Sequence, residues 1–225
     1  MTGIEPAVVF ENEEFLVLDK PSGWHSVMGK GDDRGERSVE AWLRERDAEA
    51  EHLPEAGLVH RLDRGTSGCL VAAKTFEASD VLQEQLRDGR IDKRYLAVTE
   101  GRLAHRKGEF QLHFNSRYKG SKKIKVTREG DHTVRGRCRW WKLEDFAPGP
   151  RRTVIEVDLM GRGRRHQIRS GLAFLGAPLV GDTLYGGPEA PRVMLHAWWV
   201  SIEGRRFEST IPEGFGAVDA VSGDH

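Results

Sequence analysis

Asp63 stands in the stretch VHRLDRGTSGCLVAAK, residues 59–74, between Arg61 and Arg64 and just ahead of a Gly-Thr-Ser-Gly turn. A carboxylate is ionised at neutral pH, its ordinary pKa being about 3.9. It can also attack carbon and form a covalent intermediate that later releases it. On an open surface the same acid would make only a weak ion pair with its arginine neighbours. Here it follows an apolar lead and adjoins CLVAA, which places it on a loop at the edge of a core, where a rigid scaffold commonly presents functional groups.

A second cluster, GRGRRHQIR at residues 161–169, sets Arg162, Arg164, Arg165 and Arg169 where a helix begins. Positive charge there opposes the helix dipole and calls for an anion nearby. Asp63 is a candidate for that anion, and a phosphate backbone would serve the other guanidinium groups. Helical spacing predicts Arg165 and Arg169 one turn apart on the same face.

These stretches occur in one ordered set: LDKPSG at 18–23, HRLDRGTSG at 60–68, KRYLAV at 93–98, GRGRRHQIR, then GDTLYGG at 181–187 and LHA at 195–197. The set resembles the motifs of the RluA-type pseudouridine synthases over residues 8–212. The resemblance implies an RNA pseudouridine synthase that isomerises specific uridines in structured RNA, ribosomal or transfer, without cofactor or metal. It implies Asp63 as the nucleophile that breaks the glycosidic bond. It further implies Tyr95 against the target base, with a part in moving the ring proton, and Arg169 paired with Asp63. Arg61 takes the position whose side chain helps displace the target base. Lys20 and Leu195 match positions near the floor of the site, while His60 and His196 read as packing histidines.

Two departures from the family pattern stand out. Ser170-Gly171 replaces a Val-His pair, and Gly163-Arg164-Arg165 replaces Gly-Arg-Thr. Gly171 is expected to weaken its helix by about 1 kcal/mol relative to Ala. The resemblance also implies a short form, one catalytic domain over 1–225 with a loose tail at about 216–225, without the small N-terminal RNA-binding domain of longer relatives. RNA must then be gripped by the catalytic domain itself. Arg61, Arg64, Arg164, Arg165, Lys122, Lys123 and Lys125 are the candidate contacts.

Charge agrees with that assignment. Lys plus Arg and Asp plus Glu each number 35, so the formal net charge is zero. Yet acids outnumber Lys and Arg over residues 1–57, whereas bases dominate 102–142, where Arg117, Lys119, Lys122, Lys123 and Lys125 crowd together. Such asymmetry fits a polyanionic partner on one side.

Other chemistries fit less well. HRLD resembles a kinase HRD loop, but a Gly-rich phosphate loop, a Val-Ala-Ile-Lys strand and an Asp-Phe-Gly triplet are missing. GRGRRHQIR lacks the Gly-Lys-Ser/Thr ending of a nucleotide loop, and the histidines show no HExxH pattern. A glycosidase needs a second carboxylate roughly 5 to 9.5 Å from the first, and no motif proposes one. A non-catalytic RNA-binding module is countered by the joint presence of Asp63, Tyr95 and Arg169. Cys69 and Cys138 have no metal spacing and read as small buried hydrophobes. With no apolar run of roughly 20 residues and no basic-then-apolar start, the chain is expected to be a cytoplasmic protein, a monomer, with no membrane contact.

The elements that must position these residues follow from local pattern. AVVFENEEFLVLDKPSG reads as two short strands broken at Glu11 to Glu14 and stopped by Pro21-Ser22-Gly23. A helix is expected from Ser38 through VEAWLRERDAEA. CLVAAK is a buried strand, and Thr75 caps a helix with Phe76, Val81, Leu82 and Leu86 on one stripe, ending at Gly89. Further strands are expected in KRYLAVTEG, EFQLHF, IKVTRE, GRCRWWKLEDF and TVIEVDLM, then the helix HQIRSGLAFLG ended by Gly176, then two strands in the tail. Strands that follow one another without intervening helices predict an α+β fold with a mixed, largely antiparallel sheet and flanking helices.

Overall fold

The computed structural model describes residues 4–29, 35–101, 103, 105–116, 118, 120–146 and 152–216. Arg102, Arg117, Lys119 and the expected loose tail beyond 216 lie outside the described residues.

Ten strands form one sheet. They are β1 (Ala7–Glu11), β2 (Phe15–Lys20), β3 (Ser67–Ala73), β4 (Asp92–Glu100), β5 (Lys107–Ser116), β6 (Ile124–Thr127), β7 (Arg135–Phe146), β8 (Arg152–Met160), β9 (Leu195–Ile202) and β10 (Arg205–Glu208). The order across the sheet is β1-β2-β3-β9-β4-β8-β7-β5-β6, with β10 also on β9. β3 and β9 run parallel and the other paired strands antiparallel. Three helices pack on it: α1 (Val39–Arg46), α2 (Phe76–Asp88) and α3 (Gln167–Phe174). The α+β reading holds, and each strand expected from the sequence is present.

Side chains on a strand alternate between faces. On β2, Leu16 and Leu18 join a core with Val39 and Leu43 of α1, whereas Phe15 and Val17 join another with Leu82 and Leu86 of α2. On β4, Tyr95 and Ala97 share the first core with Ile168 and Leu172 of α3, while Leu96 and Val98 face Val154, Trp198 and Phe215. Covering both faces explains why β2 and β3 read as unbroken apolar runs.

Two helices differ from expectation. α1 stops at Arg46, and the following residues form a 3₁₀ turn, Ala48–His52, capped by the side chain of Asp47, which accepts from the Glu49 amide at 3.0 Å. That local cap competes with helix continuation. In α2, Thr75 and Gly89 do cap the ends, but the buried positions are Ser79, Leu82, Gln85 and Leu86, and Phe76 and Val81 are exposed. At about 100° per residue, those two lie roughly a quarter-turn or more to either side of the Leu82–Leu86 line.

The parallel contact sets the site. Ser67 pairs with His196 and Gly68 with Ala197, bringing the start of β3 beside the start of β9. Gly68 has φ +110, and a Cβ there would lie 2.1 Å from the Ala197 carbonyl oxygen, so no larger residue permits this approach. Since Tyr95 on β4 also pairs with Ala197, the loop before β3 and the middle of β4 flank the same strand.

Candidate active site

The loop carrying Asp63 is fastened from several sides. Its backbone closes a turn, the Thr66 amide donating to the Asp63 carbonyl at 2.9 Å. The Ser26 hydroxyl donates to the Leu62 carbonyl and accepts from the Leu62 amide, both at 2.9 Å. The Ser22 hydroxyl donates to the Gly65 carbonyl at 3.0 Å, and the Gly23 amide to the Arg64 carbonyl at 2.8 Å. Lys20, fully buried, donates to the carbonyls of Trp24 at 2.7 Å, Pro21 at 3.0 Å and Arg64 at 3.5 Å. Burial pulls its pKa down to about 7, against the opposing charge of Asp63. The supporting place expected for Lys20 is therefore a clamp on the loop through backbone carbonyls.

Arg169, on α3 and 9% exposed, donates from Nη1 to Asp63 Oδ2 at 2.9 Å. Its Nε and Nη2 donate to Asp182 Oδ2 and Oδ1 at 2.7 and 2.9 Å. Burial opposes the charge on Arg169, but hydrogen bonds and charge from Asp182 and Asp63 outweigh it and raise its pKa further. The guanidinium is thus held as a permanent cation with each bonded face assigned, a geometry lysine cannot reproduce. Asp182, 1% exposed with both oxygens taken by Arg169, is not placed to act as the second carboxylate of a glycosidase.

A cleft of about 640 Å³ is lined by Arg61, Asp63, Arg64, Lys93, Tyr95 and Arg162 among others. Asp63 and Tyr95 also line an adjoining pocket of about 50 Å³, together with Ile168, Arg169 and Leu195. The Asp63, Tyr95, Arg169 and Leu195 of the sequence reading therefore meet in one place. Tyr95 is buried, and burial, then the charge of Asp63, pushes its pKa up, so the phenol stays protonated. Lys93, also buried, donates to the Gly161 carbonyl at 2.7 Å, and burial lowers its pKa to about 8. It ties β4 to the start of the GRGRRHQIR loop.

The remaining basic candidates are arranged differently from expectation. Arg165 precedes α3 and shares no helix face with Arg169; it is exposed and donates to the carbonyls of Ser121 at 2.8 Å and Lys122 at 3.3 Å. The left-handed backbone of His166, φ +54, breaks the helical register between the two arginines. Arg164 donates to the Arg135 carbonyl at 3.1 Å. Arg64 donates to the Gly23 carbonyl at 3.2 Å and pairs with Glu36 at 3.1 Å, and Arg61 meets Glu55 at 3.5 Å. Lys122, Lys123 and Lys125 are exposed at the β6 edge of the sheet, and no acid among the described residues lies within ion-pair distance of them. Gly171 has a packing reason: a Cβ there would lie 2.5 Å from the Phe110 ring. His196 is fully buried, as expected of a packing histidine, whereas His60 is partly exposed and lines the cleft. His60 Nε2 accepts from the Val71 amide at 3.2 Å, His196 Nδ1 meets the Ser67 hydroxyl at 2.8 Å, and burial lowers both pKa values to about 3. Cys69 and Cys138 are free and buried, with burial pushing each pKa up to about 12.

The profile of the RNA pseudouridylate synthase family matches residues 14–174. The chain belongs to that family. It is 37% identical over 180 residues to a ribosomal large subunit pseudouridine synthase D of Xanthomonas campestris pv. campestris, covering 80% of this chain and 51% of that one. It is 30% identical over 199 residues to a dual-specificity RNA pseudouridine synthase RluA of Escherichia coli O6:H1, covering 87% and 85%. The structure of human RNA Pseudouridylate Synthase Domain Containing 4 superposes with TM-score 0.72 at 19% identity, over 92% of this chain and 89% of that one, which shows a common fold. The chain spans about half the length of the Xanthomonas relative.

Residue type and spacing do not mark Asp182, His166 and Tyr185 as members of the site. All three lie in the motifs GDTLYGG and GRGRRHQIR, but nothing in either motif pairs positions 13 to 19 residues apart. Among the described residues no cluster of three or more His, Cys, Asp or Glu is placed to hold a metal, and no helix is long and apolar enough to cross a membrane.

Proposed function

We propose that this chain is an RNA pseudouridine synthase built as one catalytic domain, with Asp63 as nucleophile, Arg169 as its charge partner and Tyr95 beside the target base. The observation that carries the reading is the Asp63 Oδ2 to Arg169 Nη1 contact of 2.9 Å in a cleft that also holds Tyr95. The reaction is an isomerisation. The bond from the sugar to the ring nitrogen breaks, a bond from the sugar to a ring carbon forms, that carbon loses a proton and the nitrogen gains one. Nothing is oxidised or reduced, so the residues at hand suffice.

The target uridine must leave its stack, at a cost of a few kcal/mol, before it reaches a carboxylate set in a cleft. Asp63 then supplies the attacking oxygen, and Arg169 orients it and holds it ionised once substrate excludes water. The phenol of Tyr95, kept protonated, stacks on the base and stands ready to exchange a proton at the ring. Arg61, Arg162 and the exposed Lys122, Lys123 and Lys125 contact the phosphate backbone. The substrate is structured RNA, ribosomal or transfer, in keeping with the names of the relatives.

Release of tritium from RNA labelled at the ring carbon of uridine measures the reaction directly. Wild type is expected to release it. Asp63→Asn, which keeps the shape but is a poor nucleophile, is expected to release none while binding RNA within a few-fold of wild type. Tyr95→Phe is expected to slow release strongly with similar binding. Normal release by Asp63→Asn overturns the assignment.

A further inference from the structure

Asp63 has two oxygens, and Arg169 accounts for one. Facing the other is His166, whose Nε2 lies 3.8 Å from Oδ1. That is too long for a hydrogen bond in the free protein and short enough that a small inward movement of either group would make one. His166 is held there at a cost. It caps α3 in the left-handed region, φ +54 and ψ 22, which a non-glycine side chain adopts with strain. Backbone strain of this kind persists where the surroundings over-determine it, and here they do. His166 Nδ1 lies 2.8 Å from the Tyr185 hydroxyl, with the two rings edge to face at 5.6 Å, and the His166 carbonyl accepts from the Ser170 hydroxyl at 2.9 Å.

The hydrogen-bond inventory favours one of the two neutral tautomers. The Ile124 amide lies 2.9 Å from the Tyr185 oxygen, and a backbone amide can only donate. The hydroxyl oxygen therefore accepts from Ile124. If His166 were protonated on Nδ1, it too would donate to that oxygen, and the phenolic hydrogen would be left with no acceptor among these groups. If it is protonated on Nε2, the hydroxyl donates to Nδ1 and all three groups are satisfied. The second arrangement also turns an N–H, rather than a lone pair, toward the Asp63 carboxylate. Burial lowers the pKa of His166 against the pull of Asp63, so the neutral ring is the form to consider.

Tyr185 is itself fixed in three ways. It ends the 3₁₀ turn Thr183–Tyr185 that follows Asp182, its ring lies 5.5 Å from the guanidinium carbon of Arg169, and its hydroxyl accepts from Ile124 on β6. One turn of chain thus holds both neighbours of the nucleophile, Arg169 through Asp182 and His166 through Tyr185.

We propose that His166 and Tyr185 are a positioning pair for the nucleophile: the Tyr185 hydroxyl fixes His166 with its proton on Nε2, which presents an N–H to Oδ1 of Asp63. The pair rests on the reading of Asp63 as nucleophile. Its contribution comes as the carboxylate regains full charge on release of product, when a donor at Oδ1 stabilises the departing oxygen in the way that fixed donors stabilise other developing anions.

Nitrogen-15 NMR of the histidine rings, with His166 assigned by its absence in His166→Asn, reads the tautomer in free protein without any substrate. Wild type is expected to show His166 protonated on Nε2 alone, and Tyr185→Phe a mixture of the two tautomers. In the tritium-release assay, His166→Asn, a residue that tolerates the left-handed backbone, is expected to lower kcat about tenfold with KM for RNA unchanged, the size expected for removing one hydrogen bond to a charged group. Tyr185→Phe is expected to lose less, in proportion to the share of rings that no longer carry the proton on Nε2, and the double variant no more than His166→Asn, because the hydroxyl acts only through the ring. An Nδ1-protonated wild type, an unaltered kcat in His166→Asn, or a double variant slower than His166→Asn each overturn the proposal. If wild type releases no tritium from any RNA, the reading of the activity fails, while the spectrum still decides whether the ring is set as described.

Discussion

Asp182 occupies two of the guanidinium nitrogens of Arg169, Nε at 2.7 Å and Nη2 at 2.9 Å, and Arg169 is left with Nη1 for Asp63. The pairing explains how a buried arginine stays aimed at one carboxylate oxygen. A guanidinium with a single partner could rotate about its stem, whereas a fork held at both tines cannot.

The consequence is testable in Asp182→Asn. One acceptor survives, but the buried cation loses one of its two carboxylate partners and keeps only Asp63, so the cost is expected to stay below the roughly 3 kcal/mol of a buried charge left with no partner. Urea unfolding is expected to show a lower midpoint at unchanged slope, and tritium release is expected to fall at least tenfold with little change in RNA affinity. A variant as stable and as active as wild type would mean that Asp182 does not position Arg169.

Gly171 gives a prediction whose sign opposes helix propensity. Alanine is favoured over glycine in a helix by about 1 kcal/mol. A Cβ at 171 would, however, lie 2.5 and 2.7 Å from atoms of the Phe110 ring, itself buried. Overpacking of this kind typically costs about 1 to 3 kcal/mol. Gly171→Ala is therefore expected to lower the thermal midpoint, and pairing it with Phe110→Leu is expected to recover much of the loss. A midpoint above wild type for the single variant would show that α3 shifts to make room.

Stability in acid follows from the buried His196. Its pKa is lowered to about 3 by burial, whereas in the unfolded chain a histidine titrates near 6.5. Below about pH 6.5 the unfolded chain takes up protons that the folded chain refuses, so stability present above that pH is lost as the pH falls toward 3. Such a histidine contributes a slope approaching about 1.4 kcal/mol per pH unit. Replacing His196 by Gln is expected to remove one proton's worth of slope between pH 6.5 and about 5, above the range where carboxylates dominate. Denaturant titrations at several pH values measure it, and an unchanged slope would mean that His196 is protonated in the fold.

Much of the scaffold could be read from the chain because its signals are local. Thr75 and Gly89 cap α2 as their types imply, and the alternation along β4 sets Tyr95 on the face that meets α3. What sequence could not supply was long-range or three-dimensional. Arg165 and Arg169 share a face only if the helix has begun by 165, and the left-handed His166 delays it to Gln167. Phe76 and Val81 are apolar enough to belong to a core stripe, but their angles on α2 turn them to solvent. Asp182 is a turn residue by type, and only the return of the chain from α3 places it under Arg169. Gly171 reads as a defect in its helix, and its reason, the Phe110 ring opposite it, lies far away in sequence.

The last prediction concerns how RNA is held. Arg165 uses two of its five N–H donors on the carbonyls of Ser121 and Lys122. It thereby fixes the backbone that carries Lys122 and Lys123 beside the cleft that Arg165 itself lines. The exposed ammonium groups of Lys122, Lys123 and Lys125 have no acid within ion-pair distance among the described residues and are available to phosphate. Replacing all three by Gln is expected to weaken binding of every RNA alike and leave the chosen uridines the same, because phosphate contacts position a ligand without reading its sequence. Every phosphate left without its cation takes about 0.7 to 0.9 off the slope of log affinity against log salt. Arg165→Gln is expected to weaken binding in the same way but less, by loosening the loop while the lysines stay in place. Binding titrations at several salt concentrations separate the two variants. A triple variant with the wild-type slope would move the grip to Arg61 and Arg162 on the cleft itself.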